Sequence, residues 1–115
     1  MQSWLFRQTP SLLNDTTVDL WTTEYDHRIS CRALGWSTND LSVPDGGWNG
    51  TCGKLSSKTF LHLGYTGTQI CADPVRGVLT ILLTNRVYPS GSNVKIMQVR
   101  QEWNDAVVSV LDGME

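Results

Sequence analysis

The stretch from Thr59 to Ser90 constrains this chain most. Val78-Leu79-Thr80-Ile81-Leu82-Leu83-Thr84 is almost continuously apolar, the pattern of a central strand covered on both faces. Asp73-Pro74-Val75-Arg76-Gly77 before it reads as a turn, because proline fixes φ and glycine accepts backbone angles that other residues resist. Tyr65 to Ala72 carries aromatic and β-branched residues, with Gly67 interrupting. A helix could be written through so short an apolar run, but the preceding turn and the Thr84-Asn85-Arg86 exit favour a strand. The stretch predicts a hairpin with strands over about Phe60–Ala72 and Gly77–Asn85.

A third strand is predicted over about Arg28–Trp36, where Ile29, Cys31, Ala33 and Leu34 lead to Gly35. Between Val94 and Leu111, Ile96, Val99, Trp103, Val107 and Val110 recur at three- and four-residue spacing. That is a helix with one apolar stripe, expected to lie against the sheet and to stop at Gly113. Asn93 closes the loop before it as a cap. From Ser11 to Thr23 a short helix is expected, capped by Asp15 or Thr16 and covering Val18 and Trp21. Ser37 to Lys58, with Pro44-Asp45-Gly46-Gly47 at its centre, has loop chemistry, and Trp48 within it is expected to clamp onto the core. Met1 to Gln8 is mixed and is punctuated by Thr9-Pro10-Ser11.

The 115 residues suit a single domain, 1–115, with a modest core. A net charge of −2 with mixed signs carries no clustered basic footprint, so nucleic acid is not an expected partner. No apolar run approaches the ~20 residues of a membrane span, and no basic segment followed by an apolar run marks a signal peptide. Cys31, Cys52 and Cys71 are odd in number and lack a close metal spacing, which reads as free, reduced thiols in a cytosolic or organellar setting. His27 sits in a charged stretch and is expected at the surface. The histidines and cysteines together follow no metal-ligand pattern, so neither metal nor cofactor is expected. Asn14-Asp15-Thr16 and Asn49-Gly50-Thr51 match the glycosylation acceptor pattern, which arises often by chance.

Phe60-Leu61-His62-Leu63-Gly64-Tyr65-Thr66-Gly67-Thr68, then Asp73-Pro74 and Leu82-Leu83-Thr84-Asn85-Arg86-Val87-Tyr88-Pro89, carry a resemblance. They resemble the C-terminal part of the serine β-lactamase-related family, which includes class C β-lactamases, carboxypeptidase-type penicillin-binding proteins and related esterases. Ala33-Leu34-Gly35-Trp36 resembles the strand preceding the family's third motif, and the likeness runs from about Arg32 to the C-terminal helix. That motif is Lys-Thr-Gly, or His-Thr-Gly in the esterase-like branch, and His62-Leu63-Gly64 falls at its position. The fold implied is α+β: an antiparallel sheet packed with helices, a partial β-lactamase/transpeptidase-like fold.

The family's chemistry is acyl transfer by a serine on a Ser-x-x-Lys turn. No Ser-x-x-Lys precedes the His62 strand, where the family carries it, and the strings Tyr88-Pro89-Ser90 and Ser92-Asn93-Val94-Lys95 both follow that strand, whereas the family's motifs precede it. The resemblance therefore implies a piece that supplies part of an active site without its nucleophile. His62 would face the acyl pocket and donate to substrate or to a catalytic tyrosine. Gly64 would keep the strand surface clear, and the Tyr65 backbone N–H would form half of an oxyanion hole. Two departures, Leu61 for a frequent glycine and Leu63 for threonine, make the strand more apolar. In the complete family the N- and C-terminal helices pack together on one face of the sheet. The expected partner is the missing N-terminal part of the same fold, or a second copy of this chain. The other readings are a non-catalytic docking protein using the sheet and helix, and a stand-alone hydrolase with Cys52 or Ser57 as an improvised nucleophile near His62.

Overall fold

The computed structural model describes residues 12–44 and 50–114. Met1 to Ser11, Trp48 and the Asn49 acceptor site lie outside them. The described chain is α+β. Helix α1 spans Asp15–Thr22; strands follow at Ser37–Thr38 (β1), Phe60–Leu63 (β2), Gln69–Asp73 (β3) and Val78–Leu82 (β4); helix α2 spans Ile96–Asp112. The four strands form one antiparallel sheet in the order β1-β2-β3-β4.

The segment Phe60–Ala72, expected as a single strand, is itself a hairpin. Gly64 to Thr68 turns the chain between β2 and β3, with Gly64 N–H donating to Thr68 C=O at 2.8 Å and Gly67 N–H to Gly64 C=O at 3.0 Å. Gly67 adopts φ +100°, which side chains disfavour. The second hairpin closes through Asp73, whose buried carboxylate accepts from the backbone N–H groups of Val75 and Arg76.

Arg28–Trp36 is not a strand. Its donors are spent locally: Ile29 and Ser30 N–H both reach the Asp26 carbonyl, and the Asp26 carboxylate takes the backbone and guanidinium of Arg28. Gly35, at φ +83°, then makes a tight reversal in which Ala33 N–H donates to Trp36 C=O. Only Ser37 and Thr38 pair with β2. The apolar run at Val78–Thr84 is an edge strand of this sheet rather than a central one.

Strand alternation divides the sheet into two faces. Leu61, Leu63, Cys71 and Thr80 face α2, where Leu61, Cys71, Cys52, Leu55 and Val108 form the main core. Phe60, His62, Ile70, Ala72, Leu79 and Ile81 face the other way, toward α1, which covers only the Phe60 end. Asn14 caps α1, in place of the expected Asp15 or Thr16; its side chain accepts from Thr17 N–H at 2.8 Å. Val18 is buried beneath the helix, whereas Trp21 stays exposed.

Helix α2 occupies the expected span but rolls its stripe. The buried ridge is Ile96, Arg100, Asn104 and Val108, leaving Val99, Trp103 and Val110 exposed. The cause is polar: Arg100 and Asn104 find hydrogen-bond partners under the sheet, as described below.

Cys52 and Cys71 form a disulfide, against the expectation of reduced thiols; Cys31 is buried and takes no part in that bond. The bond ties the 50–58 loop to β3 beneath α2. Asn39, also buried, holds the same loop through four bonds: its amide donates to Gly53 and Leu55 carbonyls and accepts from Gly50 and Cys52 N–H. Among the described residues no helix is long and apolar enough to cross a membrane.

Candidate functional site: the open edge of β2

β1 covers β2 only at Phe60 and Leu61, so from His62 onward the β2 edge carries no neighbouring strand among the described residues. The three residues singled out from sequence sit at this edge and the turn beyond it. His62 is exposed on the face opposite α2, where the Trp36 ring stands edge-on at 6.3 Å between centroids. Trp36 also packs edge-on against the buried Phe60 ring, at 5.2 Å. The imidazole is thus backed by an aromatic wall where the β1 ladder stops.

Gly64 lies at a close approach within the turn: a Cβ there would collide with the Thr68 hydroxyl. The Leu61 and Leu63 departures also have a structural cause. Both side chains pack into the core against α2, so their apolar character belongs to the interior and not to the edge.

The Gly64–Tyr65 peptide unit is the centre of the site. Its carbonyl points into the turn and accepts from Gly67 N–H and from the Arg100 guanidinium. A trans peptide places its N–H on the side opposite its C=O. The Tyr65 N–H therefore faces away from β3, toward the open edge, and no described residue accepts from it.

Two arginines, neither anticipated as site residues, hold this turn. Arg100 is 4% exposed and donates one guanidinium nitrogen to Gly64 C=O at 2.8 Å and to Thr68 C=O at 2.9 Å. Arg86 works from outside: its N–H meets Thr66 C=O, its Nε meets Tyr65 C=O at 2.8 Å, and its guanidinium lies 4.7 Å from the centre of the Tyr65 ring. The other end of the Arg86 fork grips the carbonyls of Gly91 and Asn93. Neither arginine meets a carboxylate among the described residues. Burial first, and then the Arg86 charge, lower the Arg100 pKa from its ordinary value. The turn is thus a locally cationic frame of carbonyl-bound guanidinium groups in which the Tyr65 N–H is among the backbone donors without an acceptor among the described residues. Such a frame is suited to an anionic or strongly polarised oxygen. Arg86 lay in the Thr84-Asn85-Arg86 exit of the sequence, but bonds to carbonyls leave no pattern that would have flagged it.

The improvised nucleophiles fare differently. Cys52 is fully buried and disulfide-bonded, so it cannot attack a substrate. Ser57 is exposed at a cleft of about 180 Å³ between α1 and the sheet, lined by Val18, Thr38, Phe60 and Val75 among others but not by His62. Ser56 is committed to the Asp73 carboxylate through both its N–H and its hydroxyl, each at 2.7 Å. Among the described residues, no group of three or more His, Cys, Asp and Glu side chains could hold a metal ion.

Comparison with family models, with curated proteins and with solved structures gives no match for this chain.

Proposed function

We propose that this chain is the sheet portion of a serine hydrolase of the β-lactamase-related kind, catalysing acyl transfer on ester, amide or β-lactam substrates. The observation that carries the reading is the unpaired Tyr65 N–H on the open β2 edge, three positions from an exposed His62. In acyl transfer that N–H would stabilise the carbonyl oxygen as it gains charge, and a single such donor is worth about 10²–10³ in rate. His62 would donate to the substrate or exchange a proton at the leaving group. In this reading the nucleophile comes from another segment or chain, because the Ser92-Asn93-Val94-Lys95 string follows the His62 strand instead of preceding it.

Two uncovered apolar surfaces support a partner of the same domain. On the sheet face opposite α2, Ile81 is 52% exposed, and Leu83 just beyond β4 is 78% exposed. On α2, Val99, Trp103 and Val110 form an outward apolar stripe. In the resembled family these are the surfaces that the helical region and the N-terminal helix would cover. The Cys52–Cys71 disulfide supports an oxidising setting, which favours an organelle lumen or an extracytoplasmic space over the cytosol.

The test is hydrolysis of a chromogenic cephalosporin and a short-chain nitrophenyl ester. The chain is assayed alone and with an upstream region carrying Ser-x-x-Lys supplied in trans, each with a His62→Ala version. The reading expects turnover only in the combined sample and its loss in His62→Ala. If no upstream region restores turnover, the second reading takes over: a non-catalytic protein that docks through these same apolar faces. Chemical-shift changes confined to Ile81, Leu83, Trp103 and Val110 on mixing, without hydrolysis, would mark that outcome.

A further inference from the structure

We propose that Arg100 is a positioning residue for the β2 edge: by bonding the Gly64 carbonyl it polarises the Gly64–Tyr65 peptide and strengthens the Tyr65 N–H as a donor to an oxyanion. The inference rests on the reading that this N–H receives an oxyanion.

An amide whose carbonyl accepts from a cation shifts electron density toward that oxygen, and its N–H becomes more acidic. Arg100 meets the conditions for a large effect. It is buried, its contact is short at 2.8 Å, and no described carboxylate neutralises it. A structural brace for a turn does not require a charge. Four residues along the same buried ridge, neutral Asn104 makes the equivalent link between α2 and the sheet, through Gln69 and Thr80. Keeping a cation there is costly, because its Nε has no hydrogen-bond partner and burial disfavours the charged form. Arg86 cannot substitute. It bonds the carbonyls of Tyr65 and Thr66, which belong to the following peptide units, and not the one whose N–H faces the edge.

The test reads the N–H itself. Hydroxide-catalysed hydrogen exchange at Tyr65 is measured by NMR on the ¹⁵N-labelled full chain, for the wild type, Arg100→Gln, Arg100→Lys and Arg86→Gln. Removing a nearby cation makes the N–H less acidic by about one unit, so Arg100→Gln should slow Tyr65 exchange about tenfold. Arg100→Lys should keep most of the wild-type rate, and Arg86→Gln should change it less than Arg100→Gln does. A merely structural brace has the opposite sign: its loss loosens the turn and leaves exchange unchanged or faster, which would overturn the proposal. Should Arg100→Gln fail to fold, the wild type decides alone. Its Tyr65 N–H should exchange faster than the same amide in an unstructured Gly-Tyr peptide, and an equal or slower rate rejects the idea. Failure of the hydrolysis test speaks against the hydrolase reading and leaves these rates unaffected.

Discussion

Asn104 of α2 donates its side-chain amide to the Gln69 side-chain oxygen of β3 at 3.0 Å, in a contact fully closed to solvent. The same amide reaches the Arg100 and Thr51 carbonyls, and the Asn104 oxygen accepts from the Thr80 hydroxyl at 2.6 Å. Gln69 in turn donates to Thr51 C=O at 2.9 Å. One helical residue therefore satisfies β3, β4 and the disulfide loop together.

That closure sets the first prediction. Asn104→Leu leaves the Thr80 hydroxyl and the Gln69 oxygen buried without these partners, at about 1–3 kcal/mol for each group. Urea unfolding should show a loss of several kcal/mol, larger than for Val108→Ala on the same ridge. A loss under 1 kcal/mol would mean water enters and repairs the network.

The second prediction separates two glycines in one turn. Gly64→Ala meets only the Thr68 side chain, so the loss should be about 1–3 kcal/mol from overpacking and should be largely reversed by adding Thr68→Ala. Gly67→Ala combines φ +100° with contacts to Thr84 and Ile96, so Thr68→Ala should not rescue it. Thermal melts of the two single and two double variants check the contrast.

Reduction provides the third. Cys52 and Cys71 close a loop of sequence separation 19, for which chain-entropy arguments give about 3 kcal/mol. Cys71→Ala with Cys52→Ala should lower the denaturation midpoint accordingly, and reductant should lower the wild type but not the double variant. An equal response in both would show that the bond does not form in solution.

A pH effect follows from Asp40. The Ser42 hydroxyl and then the Ser42 N–H bond its carboxylate, at 2.6 and 2.9 Å, and lower its pKa from the ordinary value. A carboxyl whose pKa is lower folded than unfolded adds stability that is present above the unfolded pKa of about 3.9 and is lost as pH falls through the folded value. In Ser42→Ala the Asp40 midpoint should therefore rise toward the unfolded value, measured by carboxyl NMR titration. An unmoved midpoint would remove Ser42 as the cause.

The elements most legible in the sequence were those fixed by local chemistry. The span of α2 followed from side-chain periodicity, and the β3–β4 turn from Asp73-Pro74 and Gly77. The buried side of α2 is hidden in the sequence, because apolar Val99, Trp103 and Val110 recur at helical spacing while the interior takes Arg100 and Asn104. Their value depends on carbonyls and amides that only the folded sheet brings near. The Arg28–Trp36 segment has strand-forming residues, but Asp26 engages the N–H groups of Arg28, Ile29 and Ser30, and Gly35 reverses the chain before a ladder can run. Cysteine pairing was hidden for a similar reason, since Cys52 and Cys71 meet across a loop and a strand without any local spacing rule. Of the candidate site, His62, Gly64 and Tyr65 stood out as a string, whereas the arginines behind them act on backbone oxygens that every residue possesses.

The strand order β1-β2-β3-β4 has a kinetic consequence. Each strand pairs with its neighbour in the chain, and the connections over residues 64–68 and 74–77 are short. Search over such distances costs little entropy and is fast. The β2–β3–β4 meander, including the turn that presents the Tyr65 N–H, is thereby suited to form early, with α2 and the long 39–59 connection assembling onto it afterwards.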